Sequence, residues 1–132
     1  MKEVDIAIVG SGAGGGTVAS ELAPLAKKGV RITLFEKGPR FRDDEFTGRE
    51  VEMASKLYED GGGFLTAQKT VSLAFASAYG GSTLVYTGTS LTAPERVIKE
   101  WNVPGLDHAD LVRRSRKFAE QNNVHLLPEK EI

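Results

Sequence analysis

The 132-residue chain has no cysteine, only two histidines (His108 and His125), one tryptophan and almost no net charge. Without thiols it forms no disulfide, holds no thiolate-bound iron–sulfur cluster and offers no cysteine nucleophile. The histidines stand 17 residues apart with neither cysteine nor a paired carboxylate beside them, so neither reads as a metal ligand or a catalytic base. Seventeen Lys+Arg against 18 Asp+Glu leave a net charge of −1, which argues against a nucleic-acid or other polyanionic partner. Long hydrophobic runs are missing too. The stretch from Val4 to Val9 is far short of the roughly 20 residues that span a bilayer, and no basic segment precedes it. These absences predict a cytoplasmic protein without a membrane span, of a length suited to one domain.

Glycine, by contrast, is plentiful at 15 residues, and its placement organises the N-terminal half. Ile6, Ile8 and Val9 predict a buried parallel strand that stops at Gly10, and Gly10, Gly12 and Gly15 then fill a GxGxxG pattern. The first glycine permits a tight turn, the second lets the backbone approach a pyrophosphate, and the third lets helix and strand pack closely. Gly10, Ser11, Gly12, Ala13, Gly14 and Gly15 are therefore candidate phosphate-binding residues, with the N–H groups and positive end of the next helix facing the anion. A second apolar run, residues 31–35, ends in Glu36, which lies 21 residues beyond Gly15. About 20 residues is the expected spacing for an acid that accepts hydrogen bonds from a ribose hydroxyl; the other reading is a solvated glutamate at a strand end. Between the strands Val18, Leu22 and Leu25 recur on one helical face, Pro24 predicts a stop or kink near Leu22 to Ala23, and Lys27, Lys28 and Gly29 close a β-α-β unit.

From Lys37 to Asp60 charges of both signs alternate, predicting a solvated surface, not a metal site. Val51, Ala54, Leu57 and Tyr58 predict a short amphipathic helix ended by the glycines at 61–63. Val71, Leu73 and Phe75 alternate with small polar residues as a half-buried strand, which runs into a second small-residue turn at Gly80, Gly81, Ser82 and Thr83. That turn offers N–H groups and two hydroxyls to a phosphate, or is a plain turn before Leu84 and Val85. Thr92 and Glu95 have the spacing of a capping box, with Val97, Ile98 and Trp101 as the buried side of the helix, and Asp107 caps a further helix carrying Leu111, Val112, Phe118 and Ala119. Arg113, Arg114, Arg116 and Lys117 form its wet side, and residues 124–127 read as a short strand. Only two parallel strands are clearly visible, fewer than a dinucleotide fold normally needs.

Three stretches, Ile-Val-Gly-Ser-Gly-Ala-Gly-Gly-Gly-Thr-Val-Ala at 8–19, Leu-Phe-Glu-Lys-Gly-Pro at 34–39 and Gly-Gly-Ser-Thr-Leu-Val at 80–85, make the sequence resemble the amino-terminal part of the glucose-methanol-choline (GMC) family of FAD-dependent oxidoreductases. Residues 92–97 with Trp101 resemble its alcohol-oxidase-like branch. The resemblance implies an α/β fold: an incomplete Rossmann-like FAD-binding β-α-β core with an appended helical and strand segment. Residues 1–132 would be the amino-terminal portion of an FAD-binding domain, with the substrate domain absent. It places the first turn on the pyrophosphate and Glu36, with Lys37 beside it, at the adenosine ribose. Gly81, Ser82, Thr83, Val85, Tyr86 and Thr87 would run along the diphosphate, ribityl and flavin. The implied reaction is hydride transfer from an alcohol carbon to flavin N5.

The chain departs from the family pattern at Tyr86, where asparagine is usual, and at Ala76, where glycine is usual. Val85 stands where some members carry a flavin-linked histidine, which implies non-covalent FAD. Family members are several times longer, and their alcohol-activating histidine lies near the carboxyl end. The chain is therefore expected to be a truncated or split portion without a catalytic residue of its own, meeting a small-molecule alcohol through a missing domain or separate subunit. Two other functions stay open: a non-catalytic nucleotide-binding module, and an NAD-dependent dehydrogenase fragment, which the second glycine turn disfavours.

Overall fold

The computed structural model describes residues 5–126, in two compact units that meet in sequence between Thr87 and Gly88. The first unit opens with strand β1 (Asp5–Val9), helix α1 (Ala13–Ala26) and strand β2 (Arg31–Phe35). The strands are parallel, in register from Asp5 opposite Arg31 to Val9 opposite Phe35, as a right-handed crossover through a helix permits. Because side chains alternate along a strand, Ile6, Ile8, Ile32 and Leu34 share one face, and α1 packs against the sheet through half-buried Gly15, Ala19, Leu22 and Leu25. Val18 falls outside that stripe. The reverse face carries Val9 and Phe35, 85% and 56% exposed. Val9 is thus not buried as the apolar run predicted: a parallel strand is dry on both sides only when both faces are covered, and only one face of this sheet carries a helix among the described residues.

Helix α1 also overrides its proline. It continues through Pro24 to Ala26. Pro24 lies in the last turn and Ser20, whose carbonyl loses its donor, is exposed, so water can take the place of the missing N–H. The helix ends where Gly29 turns left-handed at φ 87°. The Val30 N–H donates to Leu25 O at 3.2 Å and the Gly29 N–H to Ala26 O at 3.1 Å, the paired bonds of a Schellman closure.

Helix α2 (Glu50–Leu57) buries Met53 and Leu57, one turn apart, while Val51 is 86% exposed. Of the expected apolar stripe, Leu57 is buried and Ala54 and Tyr58 are half-buried, while Val51 faces outward and Met53 supplies the second inward anchor. Tyr58 leaves the helix extended and bridges Ala76. The anticipated strand at 71–75 shortens to β4 (Ser72–Leu73), paired antiparallel with β3 (Phe64–Leu65), a partner the sequence pattern did not announce. Phe64 stacks on Phe75 at 4.7 Å between ring centroids, and Thr66 closes the hairpin by donating its N–H to Val71 O at 3.0 Å. Met53, Leu57 and Ala78 form the core of this unit, with Phe41 and Val85 packed against it.

The second unit contains α3 (Glu95–Trp101) and α4 (His108–Gln121). The capping box expected at Thr92 is not formed. Pro94 is the N-cap residue, extended at ψ 150°, and no side chain caps the helix; Glu95 pairs instead with Lys99 one turn on, at 2.8 Å. Ile98 is the buried residue of α3, whereas Trp101, expected in the core, is 57% exposed, the helix ending one residue later at left-handed Asn102. Asp107 does cap α4, its Oδ1 accepting the Asp110 N–H at 2.9 Å. Asp110 in turn pairs with Arg113 and Arg114 on the basic face. Residues 124–126 form no strand, and Leu127 lies outside the described residues. No described helix is long and apolar enough to cross a membrane.

Candidate nucleotide-binding site

The first glycine turn joins the end of β1 to the start of α1. Gly10 has φ +88°, and its N–H donates to Phe35 O at 2.7 Å, which ties the turn to the end of β2. A Cβ on Gly15 would stand 1.9 Å from Gly10 O, so glycine is compulsory there for the helix to approach the strand. Gly12 and Gly14 differ: a Cβ on Gly12 meets nothing closer than Gly80 O at 4.0 Å, and one on Gly14 meets nothing within 4 Å. The chain's own packing does not demand glycine at those two positions, and the space beside Gly14 is open. No side chain caps α1 and no acid sits in its first turn. The Gly16 N–H, donating to Gly12 O at 2.8 Å, opens the helical ladder, so the N–H groups before it point outward at the positive end of the helix. A run of backbone donors at the positive end of a helix suits an anion.

Glu36 is not a solvated strand-end acid. Its Oε2 accepts the Ser11 N–H at 2.8 Å and the Ser11 hydroxyl at 2.6 Å, and its Oε1 accepts the Gly38 N–H at 2.8 Å. The same Ser11 oxygen accepts the Gly80 N–H at 2.8 Å. Ser11, 8% exposed, is the one buried polar side chain among the described residues, and it brings the first turn, the acid and the second turn to a single point. Backbones meet around it. A Cβ on Gly81 would lie 3.0 Å from Gly12 Cα, and one on Gly38 would lie 2.2 Å from Ala78 N. The Tyr79 N–H donates to Pro39 O at 2.9 Å.

The second turn is a 3-10 helix over Gly81–Leu84, entered through Gly80 at φ 106°. Its hydroxyls serve the turn itself. Thr83 Oγ1 donates to Gly80 O at 2.6 Å, and Ser82 Oγ accepts the Ala76 N–H at 3.1 Å. Of the two, only Ser82 keeps its hydroxyl proton for a phosphate. Val85 faces the hydrophobic core, Tyr86 and Thr87 are exposed, and Lys37 is ion-paired with Glu59. Ala13 and Gly14 sit in the first turn of α1.

The pattern of the GMC oxidoreductase family matches residues 54–126, more than half of the chain. The chain belongs to the GMC oxidoreductase family. A second pattern, the NAD(P)-binding Rossmann-like domain, matches residues 8–64 of this GMC chain, the stretch built around the first turn. A long-chain-alcohol oxidase of Arabidopsis thaliana is 40% identical over 98 residues, covering 74% of this chain and 13% of that protein. A GMC-type oxidoreductase of Mycobacterium tuberculosis, named as uncharacterized, is 33% identical over 126 residues, 92% of this chain and 20% of its own length. A cholesterol oxidase of Mycobacterium tuberculosis is 31% identical over 98 residues, 70% of this chain and 16% of that protein. The GMC chain thus spans between about an eighth and a fifth of these relatives. No solved structure gives a significant match.

The residues present fit an adenine dinucleotide. The Glu36 carboxylate, held at the end of β2 by Ser11 and Gly38, is the kind of acceptor a ribose hydroxyl needs. Gly38 and Ala78 shape the junction beside Gly80, and sequence reasoning did not put these two among the candidate contacts. Their signal was present in the small residues at 76–81, but their role is set by a backbone contact between distant segments. Among the described residues no group of His, Cys, Asp and Glu is arranged to hold a metal.

Hydrogen bonds from the Ser11 hydroxyl, first, and from the backbone N–H groups of Gly38, Ser11 and Lys37 pull the Glu36 pKa down to about 2. A carboxylate depressed in the folded state stabilises above its unfolded value, near 4.3, and that contribution is lost as pH falls towards the folded value. We therefore expect the stability difference between the wild type and Glu36→Gln to be full at pH 6 and to shrink steadily between about pH 4.5 and 2. Urea unfolding of both proteins across that range checks this, since other acids cancel in the difference. A difference independent of pH would contradict the assignment.

Proposed function

We propose that this GMC chain is the FAD-binding portion of a flavin-dependent oxidoreductase that oxidises an alcohol by hydride transfer to flavin. The observation that carries the reading is the convergence at Ser11 of an uncapped helix start, a strand-end carboxylate and a second glycine turn. The first turn and α1 would hold the pyrophosphate, Glu36 the adenosine ribose, and residues 81–87 the path towards the flavin. Bound FAD supplies the hydride acceptor. The residues of this chain bind and orient it, and Val85 offers no side-chain nitrogen for a covalent link, so the cofactor is held non-covalently. The alcohol-oxidase relatives support an alcohol substrate, met by parts of the protein outside this chain. His108 and His125 both lie in the second unit and are given no role. A cytoplasmic location belongs to the same reading.

A second reading, nicotinamide dinucleotide binding, draws on the Rossmann-like match at residues 8–64. Glu36 would then favour NAD, because a carboxylate repels the 2′-phosphate of NADP. Mixing the purified chain with FAD or NADH and then desalting distinguishes the two. Flavin absorbance retained through the column is the expected result. Retention of NADH with no flavin would replace the first reading by the second.

A further inference from the structure

We propose that Ser11 is a positioning residue that sets the second glycine turn from the ribose acid, so that affinity for a dinucleotide depends on its hydroxyl while affinity for ADP does not. The proposal rests on the nucleotide-binding reading above. A serine hydroxyl has one proton, and here it goes to Glu36 Oε2 at 2.6 Å while a lone pair receives the Gly80 N–H at 2.8 Å. The backbone N–H of Ser11 holds the same carboxylate oxygen at 2.8 Å, so the side chain is fixed from two directions. A hydroxyl that donates to a carboxylate is polarised into a better acceptor, and the acid thereby strengthens its hold on Gly80.

The second turn needs an external anchor. Gly80 and Gly81 have φ of 106° and 59°, which glycine adopts no more readily than the negative values. The bonds inside the turn, Gly81 N–H to Ala78 O at 2.7 Å and the Thr83 hydroxyl to Gly80 O at 2.6 Å, fix its shape but not its place beside the first turn. Its approach to the first turn is held by the Ser11 bond and the Gly12–Gly81 backbone contact, while the Tyr79 N–H to Pro39 O at 2.9 Å ties the residue before it to the end of the 36–39 segment. Removing the hydroxyl leaves Glu36 held by two backbone N–H groups, at positions 11 and 38, so the acid stays. Gly80 is what loses its partner. ADP needs only the first turn and Glu36, whereas a dinucleotide extends to the second turn as well.

The test compares wild type, Ser11→Ala and Ser11→Thr in the full 132-residue chain by FAD and ADP titration calorimetry and by amide hydrogen exchange of Gly80 without ligand. Ser11→Ala is expected to weaken FAD binding at least about tenfold while changing ADP binding by less than about threefold, and to speed Gly80 exchange at least about tenfold with Gly16 unchanged. Ser11→Thr, which keeps the hydroxyl, should restore all three readouts. Equal losses for FAD and ADP would mean a merely structural role and overturn the proposal, as would unchanged Gly80 exchange. Should the wild type bind neither nucleotide, the nucleotide reading falls, and Gly80 exchange alone then decides whether Ser11 sets the second turn.

Discussion

Replacing Gly15 by alanine is expected to destabilise the N-terminal unit by more than about 3 kcal/mol, enough to unfold it in mild urea. The new Cβ would lie 1.9 Å from Gly10 O and 3.0 Å from Gly10 C, and the obstructing atoms are backbone, which cannot rotate away. Relief requires α1 to lift from β1 by on the order of 1 Å, which forfeits close packing around Ile8, the one buried side chain of the sheet. Gly14→Ala is the control. Nothing lies within 4 Å of its Cβ, and alanine is the better helix former, so it should leave stability unchanged or raise it by up to about 1 kcal/mol. Far-ultraviolet circular dichroism during urea unfolding is the suitable probe, because the sole tryptophan, Trp101, belongs to the other unit. Equal midpoints for Gly15→Ala and wild type would show that the helix and strand are not packed as described.

Gly38→Ala should fail differently. Its Cβ would meet Ala78 N at 2.2 Å, Ser77 C at 2.3 Å and Ala78 Cα at 2.4 Å, so residues 36–39 and 77–80 must part. The clash lies away from α1 and the sheet, so helical dichroism should persist. What goes is the junction: the Tyr79 bond to Pro39 and the Gly80 bond to Ser11. Each leaves a polar group without its partner at about 1–3 kcal/mol where water cannot replace it, so FAD retention should fall by well over tenfold. Gly63→Ala, whose Cβ would sit at an ordinary 3.6 Å from Asp60 O, should shift neither stability nor retention measurably. Retention of flavin by Gly38→Ala at the wild-type level would remove the junction from the binding site.

These two glycines mark the line between what the sequence made legible and what it did not. The demand for glycine at position 15 is local, set by a strand, a turn and a helix that follow one another, and the GxGxxG spacing reads it directly. The demand at position 38 arises from a segment about 40 residues away, which no local periodicity encodes. The same distinction covers the other outcomes. Glu36 was legible as an acid at the right spacing, yet its engagement by Ser11 and Gly38 was not. Asp107 was legible as a cap because capping is a contact of three residues; Thr92 failed because Pro94, between it and the helix, took the N-cap position. Trp101 and Val51 were assigned to the inside on apolar spacing alone, but which stripe of a short helix turns inward depends on what packs against it.

The Ser11–Gly80 bond has a further consequence for the order of assembly. It closes a loop of 69 residues, whereas the Ser11–Glu36 bonds close one of 25. By loop-closure entropy the longer contact costs about 0.9 kcal/mol more to bring together, and it is worth forming only once Glu36 has already fixed the serine rotamer. The second turn is therefore expected to dock after the β-α-β element has formed from its local contacts, onto a hydroxyl already held in place.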